Sequence, residues 1–221
     1  MKKKKLNKKR IFNFFMILIA IALFAVIAYR VYQDLTAEGG KVVKHNLDII
    51  EPYGYKLDDR DTSTYKKYFK ELKENLKGEK VDEELYAKTL TKIFITDFYS
   101  LNNKLTSTDI GGLEFIHPDM IENFVLNAEE TMYKTVQSDL YGERKQKLPV
   151  VSSVTIKTCE KTKYTYKGKE FEGYKIDASW EYKTDLGYEK DGSFILIKDK
   201  EKLNIVEKNK LEKTEEESSA S

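Results

Sequence analysis

The chain is predicted to fold as α+β, with an N-terminal transmembrane helix followed by about three helices packed on a curved antiparallel sheet of four or five strands. Three observations carry that prediction. Seven basic residues between Lys2 and Arg10 run straight into nineteen almost uncharged residues, 11–29. From residue 62 to 140 apolar residues recur at helical spacing, and after Pro149 they alternate at strand spacing. Helices segregated ahead of strands belong to α+β architectures, in which one-sided helices and a one-sided sheet cover each other.

The span reads IFNFFMILIAIALFAVIAY, with Asn13 its only strongly polar residue. As a helix it covers about 28 Å, close to a hydrocarbon core of about 30 Å. Ile11, Phe14, Leu18, Leu23 and Tyr29 are the expected anchor positions in membrane lipid. The basic excess lies on the N-terminal side, so residues 1–10 are expected in the cytoplasm and the rest outside. The expected location is therefore the cell membrane, single-pass. A cleaved signal peptide is the rival reading. Its apolar region is usually about 7–15 residues and ends in a small-x-small site. This run is longer, and Val26 occupies a position of the candidate site after Ala28 where a small residue is preferred. The lysines are read as topogenic, with anionic head groups as a secondary contact.

The whole chain has 221 residues and a net charge of +2. Setting aside the seven basic residues of the tail and Arg30 leaves 31 basic against 37 acidic residues, a net −6. A mildly acidic exported part excludes nucleic acid as an expected partner. A lone Cys159 excludes an internal disulfide, and its place in an alternating run makes it a packed thiol. Fifteen Tyr and eleven Phe with three Pro can build a hydrophobic core.

Residues 30–60 read as a juxtamembrane spacer, with a helix-breaking Gly39-Gly40 and a turn at Pro52-Tyr53-Gly54, although Leu47, Ile49 and Ile50 can pack as an early strand. The exported domain is expected over 61–211. Its first helix runs from about Thr62 to Leu76, capped by Asp61 or Ser63, with Tyr65, Tyr68, Phe69, Leu72 and Leu76 on one face. The second runs from about Asp82 to Leu101, with Asp82 as cap and Glu83 and Glu84 near the positive end of the helix dipole. Its stripe is Leu85 or Tyr86, Leu90, Ile93, Phe94, Phe98 and Leu101. A polar loop, 102–112, leads to a third helix that starts at His117-Pro118 and extends to about Leu140. Strand patterns follow at 151–158, 164–166, 174–182, 193–197 and 203–207. The cleanest is Tyr174, Ile176, Ala178, Trp180 and Tyr182, alternating with polar residues. Residues 212–221 are acidic, Ser-rich and expected to be disordered.

Helices first, then a long antiparallel sheet ending in FILIKDKEKLNIVEK, resembles the nuclear-transport-factor-two-like cone fold. With the basic tail and apolar span, the whole chain resembles the single-pass assembly subunits of type IV secretion and conjugation machines. The resemblance covers about Thr62 to Lys208 plus the anchor and rests on architecture. The Asn-Pro-x-Gly segment of some of those subunits is absent. It implies a cone-like domain outside the membrane, partnered by other envelope proteins.

Chemistry is sparse. Neither His45, in the spacer, nor His117, at a helix start, has ligand-spaced neighbours, so no metal and no cofactor is expected. Asp97 lies beside the apolar stripe of the second helix; facing inward, it would have a raised pKa and could act as an acid or base. At the edge of the stripe it would instead bond a neighbouring Tyr or Lys. Asp177 falls on the wet face of its strand, and the Asp109-Ile110-Gly111-Gly112 segment lacks the Lys-Ser/Thr of a phosphate loop. Leu105, Ile110, Leu113 and Phe115 make the 102–115 loop a candidate interaction surface. Two main function classes follow: a non-enzymatic interaction or scaffold module tethered outside the membrane, or a ligand-binding or enzymatic cone. An extracellular sensor is the third.

Overall fold

The computed structural model describes residues 46–211 together with Val26. The described order is β1 (Asn46–Ile50), β2 (Tyr55–Asp58), α1 (Ser63–Leu76), α2 (Glu83–Tyr99), α3 (Ile121–Glu130), β3 (Val151–Tyr166), β4 (Lys169–Tyr182), β5 (Asp191–Asp199) and β6 (Lys202–Asn209). Short 3-10 turns, Leu113–Phe115 and Pro118–Met120, precede α3. Strands β3 to β6 form one antiparallel meander in chain order, and β1 pairs with β2 in a separate two-stranded sheet.

This corrects the predicted fold class. The described residues form an α+β fold with three helices and a four-stranded sheet, and no helix among them is long and apolar enough to cross a membrane. The anchor positions Ile11, Phe14, Leu18, Leu23 and Tyr29 lie outside the described residues, as do the tails 1–10 and 212–221.

Helix α2 occupies the centre. From Tyr86 to Tyr99 every residue is buried except Lys88, Lys92 and Asp97. A helix apolar on nearly all sides needs a cover on each. One side meets the inner face of the sheet, where Tyr99 lies 4.5 Å from Trp180 and Phe94 lies 5.9 Å from Phe194, ring centre to ring centre. That inner face is the alternating set of β4, Tyr174 to Tyr182, all buried as the pattern predicts. A second side meets α1, whose buried residues are the five read from its spacing. The cap of α1 is Thr62, whose hydroxyl accepts from the Tyr65 N–H, not Asp61 or Ser63. The cap of α2 is Asp82, which accepts from the Leu85 N–H.

The hairpin β1–β2 belongs to this core, so the spacer reading fails for residues 46–58. Tyr55 is wholly buried and stacks on Phe115 at 5.2 Å. Its hydroxyl donates to the Leu203 carbonyl (3.3 Å), while the Leu203 N–H donates to the Tyr86 hydroxyl (3.2 Å). The Tyr86 proton then has one place left to go, the Tyr55 oxygen 2.5 Å away. This closed ring of donors joins β2, α2 and β6.

The third helix is much shorter than its periodicity implies. It ends at Glu130, because Tyr133 is drawn inward: its hydroxyl accepts from Gly111 N–H (3.0 Å) and donates to the Phe98 carbonyl (2.8 Å). The two strand patterns at 151–158 and 164–166 are one strand, β3, which turns into β4 at Lys167-Gly168, both with positive φ. Its far half, with the start of β4, extends beyond Gly173, the last residue of β4 paired with β5, as a two-stranded ribbon. A Cβ at Gly173 would lie 1.9 Å from the Leu196 carbonyl oxygen, so only glycine permits that register. Asp177 is half-buried rather than wet, its Oδ1 enclosed across from Ser193.

Tyr55→Ala is expected to cost about 3–5 kcal/mol, from the cavity and the broken donor ring. Urea unfolding of the full-length chain measures this. A loss under about 1 kcal/mol would show the hairpin to be a detachable spacer.

Candidate functional site

The loop after α2 is built around Asp97. Its Oδ1 is bound by the Lys104 ammonium and its Oδ2 accepts from the Gly112 N–H at 2.6 Å. Lys104 is almost fully buried, an uncommon place for an ammonium, and Asp97 is its counter-ion. Gly111 is required by this packing: a Cβ there would lie 2.5 Å from the Asp97 carbonyl oxygen and 2.7 Å from the Lys104 Nζ. Arg144 ties the same loop from outside, donating to the carbonyls of Asn102 (2.7 Å), Lys104 (2.7 Å) and Gln137 (3.1 Å). Asp97 is therefore a joint between α2 and the loop, with both oxygens engaged.

The apolar residues of the candidate interaction loop are thus mostly turned inward. Phe115 and Ile110 are buried, and Leu105 and Leu113 are half-buried. A stretch rich in Asn, Thr, Ser and Gly reads as an exposed loop, but its apolar residues are the third cover of α2.

Glu114 sits where this loop meets β2 and α1. Both carboxylate oxygens accept from the Lys56 N–H at 3.2 Å, and Oε1 accepts from the Tyr65 hydroxyl at 3.1 Å. Burial pushes its carboxyl from 4.5 up to about 7; the two hydrogen bonds and the Lys202 charge oppose the shift and Asp97 adds to it. Asp61 nearby is pushed to about 6, again by burial, against a 2.6 Å bond from the Asp58 N–H. Asp58, Asp61, Asp97, Glu114 and Tyr65 line a small cleft of about 200 Å³. Glu114 also lines a larger cleft of about 650 Å³, walled by Pro52, Tyr53, Leu113, Ile116 and Ile121 and rimmed by the β5–β6 turn.

On the other side of Ile116 lies an aromatic groove. Two adjoining hollows of about 340 and 450 Å³ share Phe94, Phe124, Asn127 and Lys208. Their floor is a set of rings in contact, Phe94–Phe98 at 5.6 Å, Phe98–Phe124 at 5.1 Å and Phe94–Phe124 at 6.0 Å. One wall is α3, which buries only Ala128 fully. The other is β6, the edge strand of the sheet. Just upstream, Ile116 forms a parallel bridge to Ile205, and the His117 N–H donates to the Ile205 carbonyl at 3.0 Å. No strand among the described residues continues along that edge past Ile205.

A further hollow, about 730 Å³, is a surface cleft at the base of the ribbon, and its walls carry mixed charges already in pairs such as Lys198–Glu83 and Lys163–Glu170. Among the described residues no group of three His, Cys, Asp or Glu is placed to hold a metal ion. His117 accepts from the Asp119 N–H at 3.3 Å, a capping role. Cys159 is half-buried, and burial pushes its thiol upward. Comparison with protein-family models, curated proteins and solved structures finds no match. Glu114 and Lys202 carried no signal in the sequence, since a single charge beside apolar residues in a loop or turn has no periodicity to expose its burial.

Lys104→Met is expected to destabilise the full-length chain by about 3–5 kcal/mol, because Asp97 is left charged without its counter-ion. Thermal unfolding would show it; an unchanged midpoint would mean the pair contributes nothing. Glu114 and Asp61 both hold protons more tightly when folded, so the native state binds more protons than the unfolded one above about pH 4. Stability from these groups is complete below their unfolded values and is lost as pH rises through about 6 to 7. For Glu114 alone the loss is on the order of 3 kcal/mol. Glu114→Gln should therefore be more stable than the parent at pH 8, with the gap closing by pH 4.5 in a series of melting curves. A gap independent of pH would refute the assignment.

Proposed function

We propose that the folded unit is an interaction module rather than a catalyst, tethered at the outer face of a membrane by the basic and apolar N-terminal sequence and joined to other envelope proteins. The observation that carries this reading is the aromatic groove beside the open edge of β6. A sheet edge offers backbone donors and acceptors in a row, and a strand added there places alternate side chains on one face. Here that face is the ring floor of Phe94, Phe98 and Phe124. The chain's own stub at Ile116 already uses this mode against Ile205. The occupant is thus an extended segment of a partner protein with apolar residues at alternate positions. Asp97 supports the non-catalytic reading, since Lys104 and Gly112 engage both its oxygens. The order of segments, which resembles assembly subunits of secretion and conjugation machines, is the basis for expecting the partner in the envelope.

A photocrosslinker at Asn127 of the full-length chain in its membrane is expected to yield one discrete adduct, mapping by mass spectrometry to an extended apolar segment. Phe124→Glu should abolish it without lowering the melting point by more than a few degrees. Equal adducts from a crosslinker at the remote Lys183, or none at Asn127, would overturn the proposal.

A further inference from the structure

We propose that the 650 Å³ cleft between the Leu113–Phe115 turn and the β5–β6 turn binds a small monocarboxylate with an apolar body, held through Lys202. The site is distinct from the aromatic groove and does not depend on it. Lys202 opens β6, and its ammonium lies 4.5 Å over the centre of the Tyr55 ring. The side chain is half-buried; among the described residues no carboxylate lies within ion-pair distance of it, and Glu114 across the cleft attracts it only at longer range. Other well-covered cations in this fold have such partners: Lys104 has Asp97, and Lys73 has Asp48. A desolvated ammonium over a ring face gains some cation–π attraction, but it retains unmet hydrogen-bond capacity.

The rest of the cleft defines what would meet it. The walls are Pro52, Tyr53, Leu113, Ile116 and Ile121, apolar surface of the kind that takes a hydrocarbon or aryl body. Glu114 lines the cleft and already accepts two hydrogen bonds, so it has little need of a cationic ligand. Its carboxyl titrates near 7, so in the acid form it can donate a hydrogen bond to a ligand oxygen. At the rim Asp199 and Glu201 outnumber Lys200, and this acidic excess disfavours a second negative charge. One anionic head with an apolar tail satisfies all four features. A phosphate or a dicarboxylate meets the rim charges, and an amine meets Lys202.

The test uses the full-length chain in lipid nanodiscs, with empty nanodiscs as blank, titrated with 3-phenylpropionate, 3-phenylpropan-1-ol and 3-phenylpropylamine by ligand-observed NMR. The carboxylate should bind at least about ten-fold more tightly than the alcohol, as a charge-assisted contact implies, and the amine should not bind above blank. Succinate should bind more weakly than 3-phenylpropionate. Lys202→Met, which keeps an apolar stem on Tyr55, should lose about ten-fold in carboxylate affinity, while Lys183→Met should not change it. Equal affinity for alcohol and carboxylate, preference for the amine, or full affinity in Lys202→Met would overturn the proposal. So would absence of carboxylate binding above blank. The ranking of the probes on the parent chain stands whether or not the variant folds.

Discussion

The burial of α2 on nearly every side is the constraint on which the described fold depends. A fourteen-residue stretch with three partly exposed positions cannot be covered by one partner. It takes the inner face of β4 and β5, the apolar stripe of α1, and the loop 100–117 together. The loop is the least obvious of the three, because its sequence is polar. It can serve because its charges and backbone groups are satisfied internally, through Asp97 and Lys104, Arg144 with three carbonyls, and Tyr133 with Gly111 and Phe98. Burying those groups without partners would cost several kcal/mol each.

Two polar networks therefore fix the geometry of the openings. The Tyr55–Tyr86–Leu203 ring holds β2 and β6 against α2, and this places Lys202 over Tyr55 and the β5–β6 turn beside Glu114. The Asp97–Lys104–Gly112 joint sets the path of the chain into Leu113 and Glu114. Ile116 and His117 then cross to β6 and divide the surface into a cleft on one side and an aromatic groove on the other. Helix α3 is the exception to this close packing. It fully buries a single residue and leaves Leu126 about half exposed, so it walls the groove without filling it.

The contrast between a close-packed floor and a loosely covered groove is what the proposed recognition role rests on. The floor rings are held by mutual contact and by the sheet below, so a docking segment would meet preorganised apolar surface, which limits the entropy lost on binding. The acidic cleft around Glu114 is equally fixed, but its groups are bound to backbone and tyrosine donors and act on stability through pH.

Much of the fold was legible in the sequence, and the reason is periodicity. The five positions of α1, the Asp82 cap and the alternation from Tyr174 to Tyr182 are local patterns, and local backbone geometry turns them directly into faces. The basic and apolar N-terminal sequence is local in the same sense, and it sets an expectation of membrane attachment that the described residues do not reach. Tertiary structure alone decided the rest. It made a spacer hairpin part of the core because Tyr55 meets Tyr86 and Leu203, thirty-one and 148 residues away. It ended α3 early because Tyr133 satisfies a distant loop, and it turned Asp97 from a candidate acid into a counter-ion. The candidate site follows the same rule: Phe94, Phe98 and Phe124 were readable as apolar helix positions, but their meeting in one groove, and the placing of Lys202 over Tyr55 in a cleft with Glu114, arise from contacts between distant segments that no single-segment pattern encodes.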